Sequence, residues 1–491
     1  MSHLLKTISF YLFILGVTQT IFSQTVRWTV ELDSSVIFSS PRYADLNLDG
    51  SEDIIIGEGS EGQTISNGIV AIDGKTGGKL WNVKTRDQIY TSALLQYIDN
   101  DSVKDIFLGG RNVSLYTING KTGEIIWEFW AKNKGYWKER GYYNFYSTQW
   151  LDDQEYDGLK GLLVANCSDA TIKLNDEKRT KGNLMIISSK DGKVLNESLT
   201  PHQLETYYAL HIHYNYGKKK PAIIFASGGE NLHGNFWEIQ IKYLQKNNVS
   251  KAKVALSDTL NVFIVNSGLA DLTSDDKLDI INARINGRIS TIDGMNHKVL
   301  WEHYSPNHEC YVAPTTGNFT GDETPDIFAM IAECSFLGYT NFVQLVIDGK
   351  TGEIVHQKSN GTYQFASGIA VDFNNDGTDE ILFLKNTVDM ESYATTNQIK
   401  ILDFKNDTTF TFGRVRNGAC FYSTPSIVDI DQDGKKELIF VYSNSFSEDK
   451  ENGKIECIEL NITDPNSSFS CYLGPLENGV FIKKLKRVSY I

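Results

Sequence analysis

The sequence lacks the signals of several large protein classes. It shows no helical periodicity, no long apolar run after its N-terminus, and no nucleophile, phosphate-loop or zinc-ligand motif. Positive charge is also scarce, because 61 acidic residues outnumber 47 basic ones and leave a formal net charge of −14. These absences exclude an all-helical fold and disfavour attraction to nucleic acid. We therefore expect no nucleic-acid partner, no transmembrane segment and no recognisable catalytic residues.

The one long apolar stretch lies at the N-terminus. Lys6 precedes the run ISFYLFILGV at residues 8–17, and small and polar residues follow up to Gln24. This order is typical of a secretory signal peptide, and the run is too short to cross a bilayer. We predict a signal peptide at 1–24 and a mature domain at 25–491 that is secreted or held in the periplasm or at the cell surface.

Cysteine is scarce, and all six cysteines lie in the predicted mature chain, where export permits disulfides. Cys310 and Cys334 are equidistant from a predicted turn, as are Cys457 and Cys471. Residues equidistant from a hairpin turn face each other across two strands, so each pair is a candidate bridge. Chance placement of buried thiols explains the spacing as well, and both states stay open.

An internal repeat dominates the chain. One unit reads SSPRYADLNLDGSEDIIIGEG and then NGIVAIDGKTGGKLWNV, within residues 39–83. It reads as four short strands, A to D, with a glycine-containing hairpin turn between C and D. Copies begin near residues 39, 90, 146, 207, 264, 311, 365 and 422. Four antiparallel strands repeated about eight times predict an all-β fold, a β-propeller of eight blades, with seven as the alternative.

Tryptophans recur at strand D, as Trp81, Trp127 and Trp301, and are predicted to pack blade against blade. The segment 26–30 precedes the first unit as the Trp81 strand precedes the second. It is therefore predicted to be the outer strand of the last blade, which would close the ring with the N-terminus. A hairpin between Cys457 and Cys471 is the alternative candidate for that place.

The A–B half of each unit resembles the FG-GAP (VCBS) repeats of integrin α-subunits. The C–D half, with its GKTG turn and LW pair, resembles the repeats of PQQ-type quinoproteins and of the periplasmic propeller that assists outer-membrane assembly. The resemblance extends over nearly the whole mature chain and implies the propeller fold far more than a function. A quinoprotein dehydrogenase would be expected to carry adjacent cysteines beside its cofactor. This chain has none, so the likeness implies fold and not cofactor.

Three A–B loops carry oxygen ligands at calcium-loop spacing. Side-chain oxygens stand at positions 1, 3, 5 and 9, with glycine at position 6 for the bend. An apolar residue at position 12 indicates a β-hairpin loop of the FG-GAP kind and not an EF-hand. We predict structural calcium, with metal-free Asp-rich turns as the alternative. The predicted ligands are Asp45, Asn47, Asp49 and Asp53; Asp372, Asn374, Asp376 and Glu380; and Asp429, Asp431, Asp433 and Glu437.

Aromatic residues are concentrated at the opposite face, where the long B–C and D–A connections lie. The largest connection joins the second and third units and is predicted to bind a ligand through Trp130, Tyr136, Trp137, Tyr142 and Tyr143. A second set stands three residues before the small residue that begins strand A, at Phe38, Tyr90, Tyr311, Phe365 and Tyr422. These rings are predicted to surround the channel mouth. Packing between blades is favoured for them over stacking on a ligand.

The combined features predict a monomeric, calcium-stabilised, non-catalytic binding or scaffold module for a glycan or a protein partner. Two alternatives stay open. One is a polysaccharide lyase or hydrolase, with acid–base groups drawn from glutamates in the long loops. The other is a periplasmic assembly accessory protein. The candidate glutamates are Glu58, Glu230, Glu333 and Glu391.

Overall fold

A computed structural model describes most of the predicted mature chain. The described residues are 24–32, 37–59, 65–99, 101–135, 143–168, 172–173, 176, 181–212, 220–229, 232–258, 265–322, 324–335, 338–362, 364–389, 391–392, 394–443, 453–463, 466–476 and 478–481. Residues 1–23, which hold almost all of the predicted signal peptide, lie outside them. No helix in these ranges is long and apolar enough to span a membrane.

The first four blades are regular antiparallel sheets with the strands in chain order from the inside outwards. Before them in the chain comes β1 (Gln24–Leu32). Blade 1 comprises β2 (Arg42–Ala44), β3 (Asp53–Gly57), β4 (Ile65–Ile72) and β5 (Lys79–Thr85); blade 2 comprises β6 (Leu94–Gln96), β7 (Asp105–Gly109), β8 (Leu115–Ile118) and β9 (Ile125–Glu128); blade 3 comprises β10 (Phe145–Leu151), β11 (Gly161–Asn166), β12 (Asn183–Ile187) and β13 (Val194–Leu199); and blade 4 comprises β14 (Ala209–Ile212), β15 (Ala222–Gly229), β16 (Leu232–Gln240) and β17 (Lys253–Asp258). Two short helices, α1 (Phe129–Lys132) and α2 (Ile241–Leu244), follow β9 and β16.

The last four blades keep this plan, and blades 6 and 7 each gain a fifth strand. Blade 5 comprises β18 (Gly268–Ala270), β19 (Asp279–Arg284), β20 (Arg288–Ile292) and β21 (Val299–Tyr304); blade 6 comprises β22 (His308–Glu309), β23 (Thr315–Gly317), β24 (Asp326–Ser335), β25 (Gly338–Ile347) and β26 (Ile354–Ser359); blade 7 comprises β27 (Ile369–Asp372), β28 (Glu380–Val388), β29 (Thr395–Asp403) and β30 (Thr408–Asn417); and blade 8 comprises β31 (Ser426–Val428), β32 (Lys435–Ser443), β33 (Gly453–Thr463) and β1. A last strand, β34 (Asn466–Phe469), pairs with the inner strand of blade 7. The prediction of eight four-stranded blades is confirmed.

The N-terminal strand closes the ring. β1 pairs antiparallel with β33, and Trp28 stands opposite Cys457 in that register. The strand therefore occupies the outer place in blade 8, as the position of residues 26–30 in the sequence predicted. The apolar core lies mainly between neighbouring blades, where side chains of one sheet pack on those of the next; one cluster, for example, joins Ile55 of blade 1 to Ile106 of blade 2.

Neither candidate disulfide forms, and none of the six cysteines, all of them in the described ranges, is in a disulfide bond. The register of β22 with β24 pairs Glu309 with Ala332, so Cys310 and Cys334 are offset along the sheet and do not face each other. Cys457 lies in the outer half of blade 8, whereas Cys471 follows β34 on the inner side of the ring. The predicted turns are not symmetrical hairpins, and equal spacing in sequence therefore did not produce facing positions.

Each strand-D tryptophan packs on the C–D turn of the next blade. A Cβ added to the turn glycine would lie within 3.0 Å of the indole, and the indole N–H donates to a carbonyl of the same turn at 2.8–2.9 Å. The prediction that these tryptophans are blade-packing residues is confirmed, and β1 supplies a fourth. The pairs are Trp28 with Gly77, Trp81 with Gly123, Trp127 with Gly192, and Trp301 with Gly352.

Replacing Gly123 by alanine is expected to destabilise the protein by about 1–3 kcal/mol, because the substitution combines overpacking with an unfavourable φ. The new Cβ would lie 2.8 Å from the Trp81 ring, at a residue whose φ is +75°. Gly158→Ala is the matched control, since Gly158 also has a positive φ, +86°, but nothing lies within 4 Å of its added Cβ. Urea denaturation measures both. Equal losses in the two variants would show that the tryptophan contact adds nothing.

The C-terminal residues 466–476 and 478–481, here called the plug, lie inside the ring. Asn466 pairs with Asp372 at the A–B end of β27, and Phe469 pairs with Ala370 farther along it. The plug then turns back, and its Gly479 carbonyl accepts a hydrogen bond of 2.7 Å from the Leu269 amide of blade 5. It therefore enters from the face that carries the A–B loops and crosses the channel between the inner strands of blades 7 and 5.

Candidate functional site

A cavity of about 490 Å³ lies at the other end of the channel, where the inner strands begin. We call it the mouth cavity. Its wall is formed by the residues that lead into strand A of successive blades, so it belongs to the face that carries the long loops. Tyr472 and Leu473 of the plug complete this wall. Because the plug comes from the opposite face, it closes the channel behind the cavity.

Seven aromatic rings form a continuous arc in this wall, one from each blade except blade 5, where Val265 takes the place. Neighbouring ring centroids are 4.1–5.9 Å apart. The order along the arc is Tyr207, Tyr146, Tyr90, Phe38, Tyr422, Phe365 and Tyr311. Sequence analysis found five of these residues. Tyr146 and Tyr207 escaped because no small residue stands three positions after them; aligning the eight repeat starts would have found both.

Most neighbouring rings of the arc are stacked, while Tyr311 meets Phe365 edge to face at an interplanar angle of 79°. Phe38 is stacked at 4.1 Å on Tyr90 on one side and on Tyr422 on the other, with interplanar angles of 23° and 15°. With both faces covered, the ring presents its edge to the cavity. The favoured prediction, packing between blades, therefore describes these rings better than a platform for a sugar ring, and such stacked pairs contribute about 0.5–1.5 kcal/mol each beyond their burial.

The polar part of the wall is rich in hydrogen-bonding groups. Arg42 is 3% exposed and donates from Nη2 to the carbonyl oxygen of Tyr472 at 3.0 Å. Asn266 donates from Nδ2 to the Tyr472 hydroxyl at 2.5 Å. Tyr472 of the plug is therefore held through both its side chain and its backbone carbonyl. Arg111 of the blade 2 B–C loop lies in the same wall, and none of the described wall residues carries a carboxylate. Sequence analysis did not single out either arginine.

The two described members of the predicted ligand-binding set in the long blade 2–3 connection, Trp130 and Tyr143, do not line this cavity. Tyr143 is fully buried and packs with Phe129 and Phe145, so its ring offers no surface to a ligand. Trp130, in α1, is half-buried, and the guanidinium carbon of Arg86 lies 3.4 Å from its ring centroid. The other three predicted residues, Tyr136, Trp137 and Tyr142, lie outside the described residues.

The three candidate glutamates that the structure describes do not converge at the mouth cavity either. Glu58, which directly follows β3, is 1% exposed, while Glu333 and Glu391 are exposed. None of these three lines the cavity. Glu230 lies outside the described residues.

The first predicted calcium loop is folded around its own acidic side chains. The amides of Asp49 and Gly50 donate to the Asp45 carboxylate at 3.1 and 3.0 Å, and the Asp49 amide also donates to Asn47 Oδ1 at 2.9 Å. The loop 372–380 repeats this pattern through Asp372 and Asn374. Glycine occupies position 6 with φ of +86°, +88° and +87° in the three loops, as the predicted bend requires.

The acid at position 9 has a structural role of its own. Asp53 accepts hydrogen bonds from the amides of Leu46 at 2.9 Å and Gly74 at 3.1 Å, and so joins the A–B loop to the C–D turn. Asp279 and Asp326 do the same in blades whose loops lack the full ligand set. Burial raises the pKa of Asp53 to about 6 and that of Glu380 to about 8, against the backbone donors that lower it.

Basic side chains distinguish the three loops. In blade 8, Arg27 of β1 forms ion pairs with Asp431 at 2.6 Å and Glu437 at 3.0 Å. The carboxylates of Asp429, Asp431 and Asp433 nevertheless bring oxygens within 4.8 Å of one another. In blade 7, Lys405 lies 3.1 Å from Asp376. Among the described residues, no lysine or arginine is within ion-pair distance of Asp45 or Asp49, and the oxygens of these two side chains accept backbone amides of the loop itself.

No protein-family model matches the chain, and no curated protein matches it. Solved structures do resemble it. Quinohemoprotein alcohol dehydrogenase from Comamonas testosteroni matches with a TM-score of 0.61 and 9% identity, over 90% of this chain and 77% of that one. A europium-containing methanol dehydrogenase gives 0.56 and 10%, over 90% and 94%. Saccharomyces cerevisiae Sqt1 gives 0.52 and 9%, over 87% and 97%.

Likeness at 9–10% identity shows the fold alone. The neighbours include quinohemoprotein and methanol dehydrogenases, in agreement with the quinoprotein-type resemblance of the C–D repeats. The FG-GAP resemblance of the A–B loops stays a prediction. This chain has the β-propeller fold, with structural neighbours among the alcohol and methanol dehydrogenases.

Proposed function

We propose that this protein is an exported, calcium-stabilised propeller that binds a glycan or a protein partner through its loop-rich face. The observation that carries the proposal is the mouth cavity. Its volume, about 490 Å³, falls within the roughly 300–1,000 Å³ of known ligand pockets. It lies on a rigid ring of eight blades, on the face where the connections are longest.

The composition of the wall supports binding in preference to catalysis. Hydrolysis or elimination of a polysaccharide needs a positioned acid and base. The candidate glutamates that the structure describes lie away from the cavity, and its described wall supplies hydroxyl, amide and guanidinium groups instead. Such groups orient a polar ligand by hydrogen bonding.

Calcium enters the proposal through the A–B loops. The blade 8 loop brings the carboxylates of Asp429, Asp431 and Asp433 within 4.8 Å of one another, although Arg27 competes for Asp431 there. The blade 1 loop is a second candidate, because Asp45, Asn47 and Asp49 surround a glycine bend and no described lysine or arginine forms an ion pair with Asp45 or Asp49. The bound ion would neutralise crowded carboxylates and stabilise the hairpin. It would lie at the face opposite the mouth cavity and so have a structural role.

Retention on immobilised polysaccharides tests the proposed function. The mature protein with calcium is passed over plant, algal and host polysaccharides, and new chain ends are assayed in the same samples. We expect retention without cleavage. Val265→Trp places a ring at the one blade position of the arc that lacks one and narrows the cavity; we expect it to weaken binding about tenfold or more, as for loss of a central contact.

Ile125→Trp is the matched control, because Ile125 is 45% exposed on the outer strand β9. Equal retention of both variants would place the ligand away from the mouth cavity. New chain ends would favour the polysaccharide-degrading alternative. No retention on any glycan, together with co-purification of a protein from the source cells, would leave the protein-partner half of the proposal.

A further inference from the structure

A second cavity, of about 290 Å³, lies between the outer strands of blades 1 and 2, at their loop-rich end. We call it the junction pocket. Its wall includes Lys84, Thr85 and Arg86 at and just after the end of β5, Asn112 of the blade 2 B–C loop, Tyr116 of β8 and Glu128 of β9. It shares no described wall residue with the mouth cavity. Pockets that enclose a whole drug-sized ligand have roughly 300–1,000 Å³, so this smaller one fits the end of a longer ligand.

Arg86 has a fixed side chain with unused donors. Its guanidinium carbon lies 3.4 Å from the centroid of the Trp130 ring, so the indole covers one face of the planar group. Its Nε is buried without a hydrogen-bond partner, and no described residue forms a hydrogen bond or an ion pair with the guanidinium. A guanidinium in this state can donate two parallel hydrogen bonds to a carboxylate. The exposed Lys84 adds a second positive charge to the wall.

Asn112 has the opposite need, because its buried Oδ1 accepts no hydrogen bond. Asn112 and Val113 have positive φ values of +54° and +62°, a strained conformation for a β-branched residue. The strained turn is held from below. Val113 is fully buried and its amide donates to the Tyr143 carbonyl at 2.7 Å, while the Asn112 amide donates to Asn144 Oδ1 at 3.0 Å. Packing and hydrogen bonds thus keep Asn112 in the wall of the pocket.

Glu128 supplies the one negative charge of the described wall. Burial raises the pKa of its carboxyl group, against the nearby charge of Arg86 and a hydrogen bond from Tyr116, which lower it. No ion pair of 4.0 Å or less joins Glu128 to Arg86 or Lys84. The described wall therefore combines two cations with two acceptors, the Glu128 carboxylate and Asn112 Oδ1. A ligand with one carboxylate and neighbouring N–H groups would match both.

The hydroxyl groups of the wall are already engaged. The Thr85 hydroxyl donates to the Asp87 carbonyl at 2.9 Å, and the Tyr116 hydroxyl accepts the Arg86 amide at 3.0 Å. A sugar acid would bring a carboxylate too, but its ring of hydroxyl groups would find few free partners here. The end of a peptide needs fewer, because its N–H groups stand next to its carboxylate.

We propose that the junction pocket binds the C-terminal carboxylate of a peptide. The carboxylate is bound by Arg86 and Lys84, and the last backbone N–H groups of the peptide donate to Asn112 and Glu128. Trp130 positions Arg86 by stacking on it. Capture of a terminal carboxylate is one of the recurring modes of peptide recognition. This second site goes beyond the proposed function and holds whatever ligand the mouth cavity takes.

Binding to a peptide array tests the assignment. The probes are hexapeptides immobilised through their N-termini, with the last two positions varied and the C-terminal carboxylate free. The same peptides as C-terminal amides keep every backbone N–H and remove the charge. We expect the mature protein, with calcium present, to bind a subset of the acids and to bind their amides about tenfold more weakly or worse. Rising salt should weaken binding of the acids alone.

Two variants separate the donors from the acceptor, with affinity for the best-binding peptide measured by calorimetry. Arg86→Gln should lower the affinity by about tenfold or more. Asn112→Gly suits the positive φ and removes the acceptor, so it should lower the affinity about two- to tenfold. Lys253→Gln is the matched control, because it removes one positive charge from the exposed outer strand β17 and should change nothing. Circular dichroism checks that the variants are folded, and the comparison of acids with amides needs no variant.

Three results would overturn the inference. Equal binding of acids and amides would show that the terminal carboxylate is not recognised. Glucuronic or galacturonic acid bound in a manner that Arg86→Gln abolishes, with no peptide bound, would show that the ligand class is wrong. Binding of no peptide at all would remove the inference and leave the proposed function intact, since retention on polysaccharides tests that function separately.

Discussion

A protein without β1, from which residues 24–32 have been deleted, is expected to lose cooperative unfolding and to migrate as an expanded or aggregated species. The deletion removes the outer strand of blade 8 and leaves the outer edge of β33 unpaired from Gly453 to Leu460. It also leaves Glu437, which is fully buried, without its ion pair to Arg27. Size-exclusion chromatography and thermal melting followed by circular dichroism measure the effect.

A single substitution in β1 tests the same ring closure with a smaller loss of stability than the deletion. Trp28→Ala should cost about 3–5 kcal/mol, as for loss of a buried tryptophan, since the indole is 9% exposed, packs on Gly77 and donates to the Gly74 carbonyl at 2.8 Å. Val26→Ala on the same strand is the control, because Val26 is 39% exposed. A melting temperature of Trp28→Ala equal to that of the unmodified protein would show that β1 does not hold the ring closed.

Removing calcium is expected to produce the second large effect. Each occupied site stabilises the folded state by about 2.7 kcal/mol when free calcium is 100 times its dissociation constant. Excess chelator should therefore lower the melting temperature, and calcium but not magnesium should restore it. Asp45→Asn with Asp49→Asn should abolish most of this dependence, because the blade 1 loop has no basic side chain in place of the ion. Asp99→Asn is the control, because the blade 2 loop has Tyr97 at the position of Asp45 and so lacks the full ligand set.

The pH dependence of folding stability in chelator shows whether these buried acids favour or oppose folding when no metal ion is bound. The pKa of Asp53 is raised to about 6 and that of Glu380 to about 8 in the folded protein, above the usual range near 4 in an unfolded chain. The folded state therefore holds protons that the unfolded state has lost, and metal-free stability should fall as pH rises from about 4 through these values. Calcium requires ionised ligands, so its stabilisation should grow over the same window. A melting temperature that is the same in chelator and in calcium at every pH would contradict the calcium proposal.

The sequence predicted the ring well because each blade is a local unit. Strand order, the glycine turns and the tryptophans of strand D recur with every repeat, so their roles follow from hydrogen-bond and packing rules within and between adjacent units. Even the closing strand was visible, because residues around Trp28 resemble those around Trp81. Because these features repeat, local sequence patterns predict them without any knowledge of long-range contacts.

What the sequence did not predict occurs only once. β34 and the rest of the plug match no repeat, and their partners, Ala370 and Leu269, are apolar inner-strand residues like those of other blades. Arg27 reaches Asp431 across 404 positions, which no local pattern reveals. The exception is the backbone clamp, which recurs as Asp53, Asp279 and Asp326 and was hidden because its position fits a calcium ligand equally well. Single, long-range contacts of this kind become visible only when the ring is assembled.

The pairing of the first strand with nearly the last one fixes the order in which the molecule can be finished. Gln24 pairs with Leu460, and the Leu269 amide donates to the carbonyl of Gly479. In both contacts the second residue is synthesised long after the first. Blades 1 to 4 have all their strands as soon as they leave the ribosome, whereas blade 8 and the inside of the ring do not. For most of its synthesis the nascent chain therefore carries β1 as an unpaired strand at its leading end. Such an edge can pair with a neighbouring copy unless a partner that binds strand edges covers it.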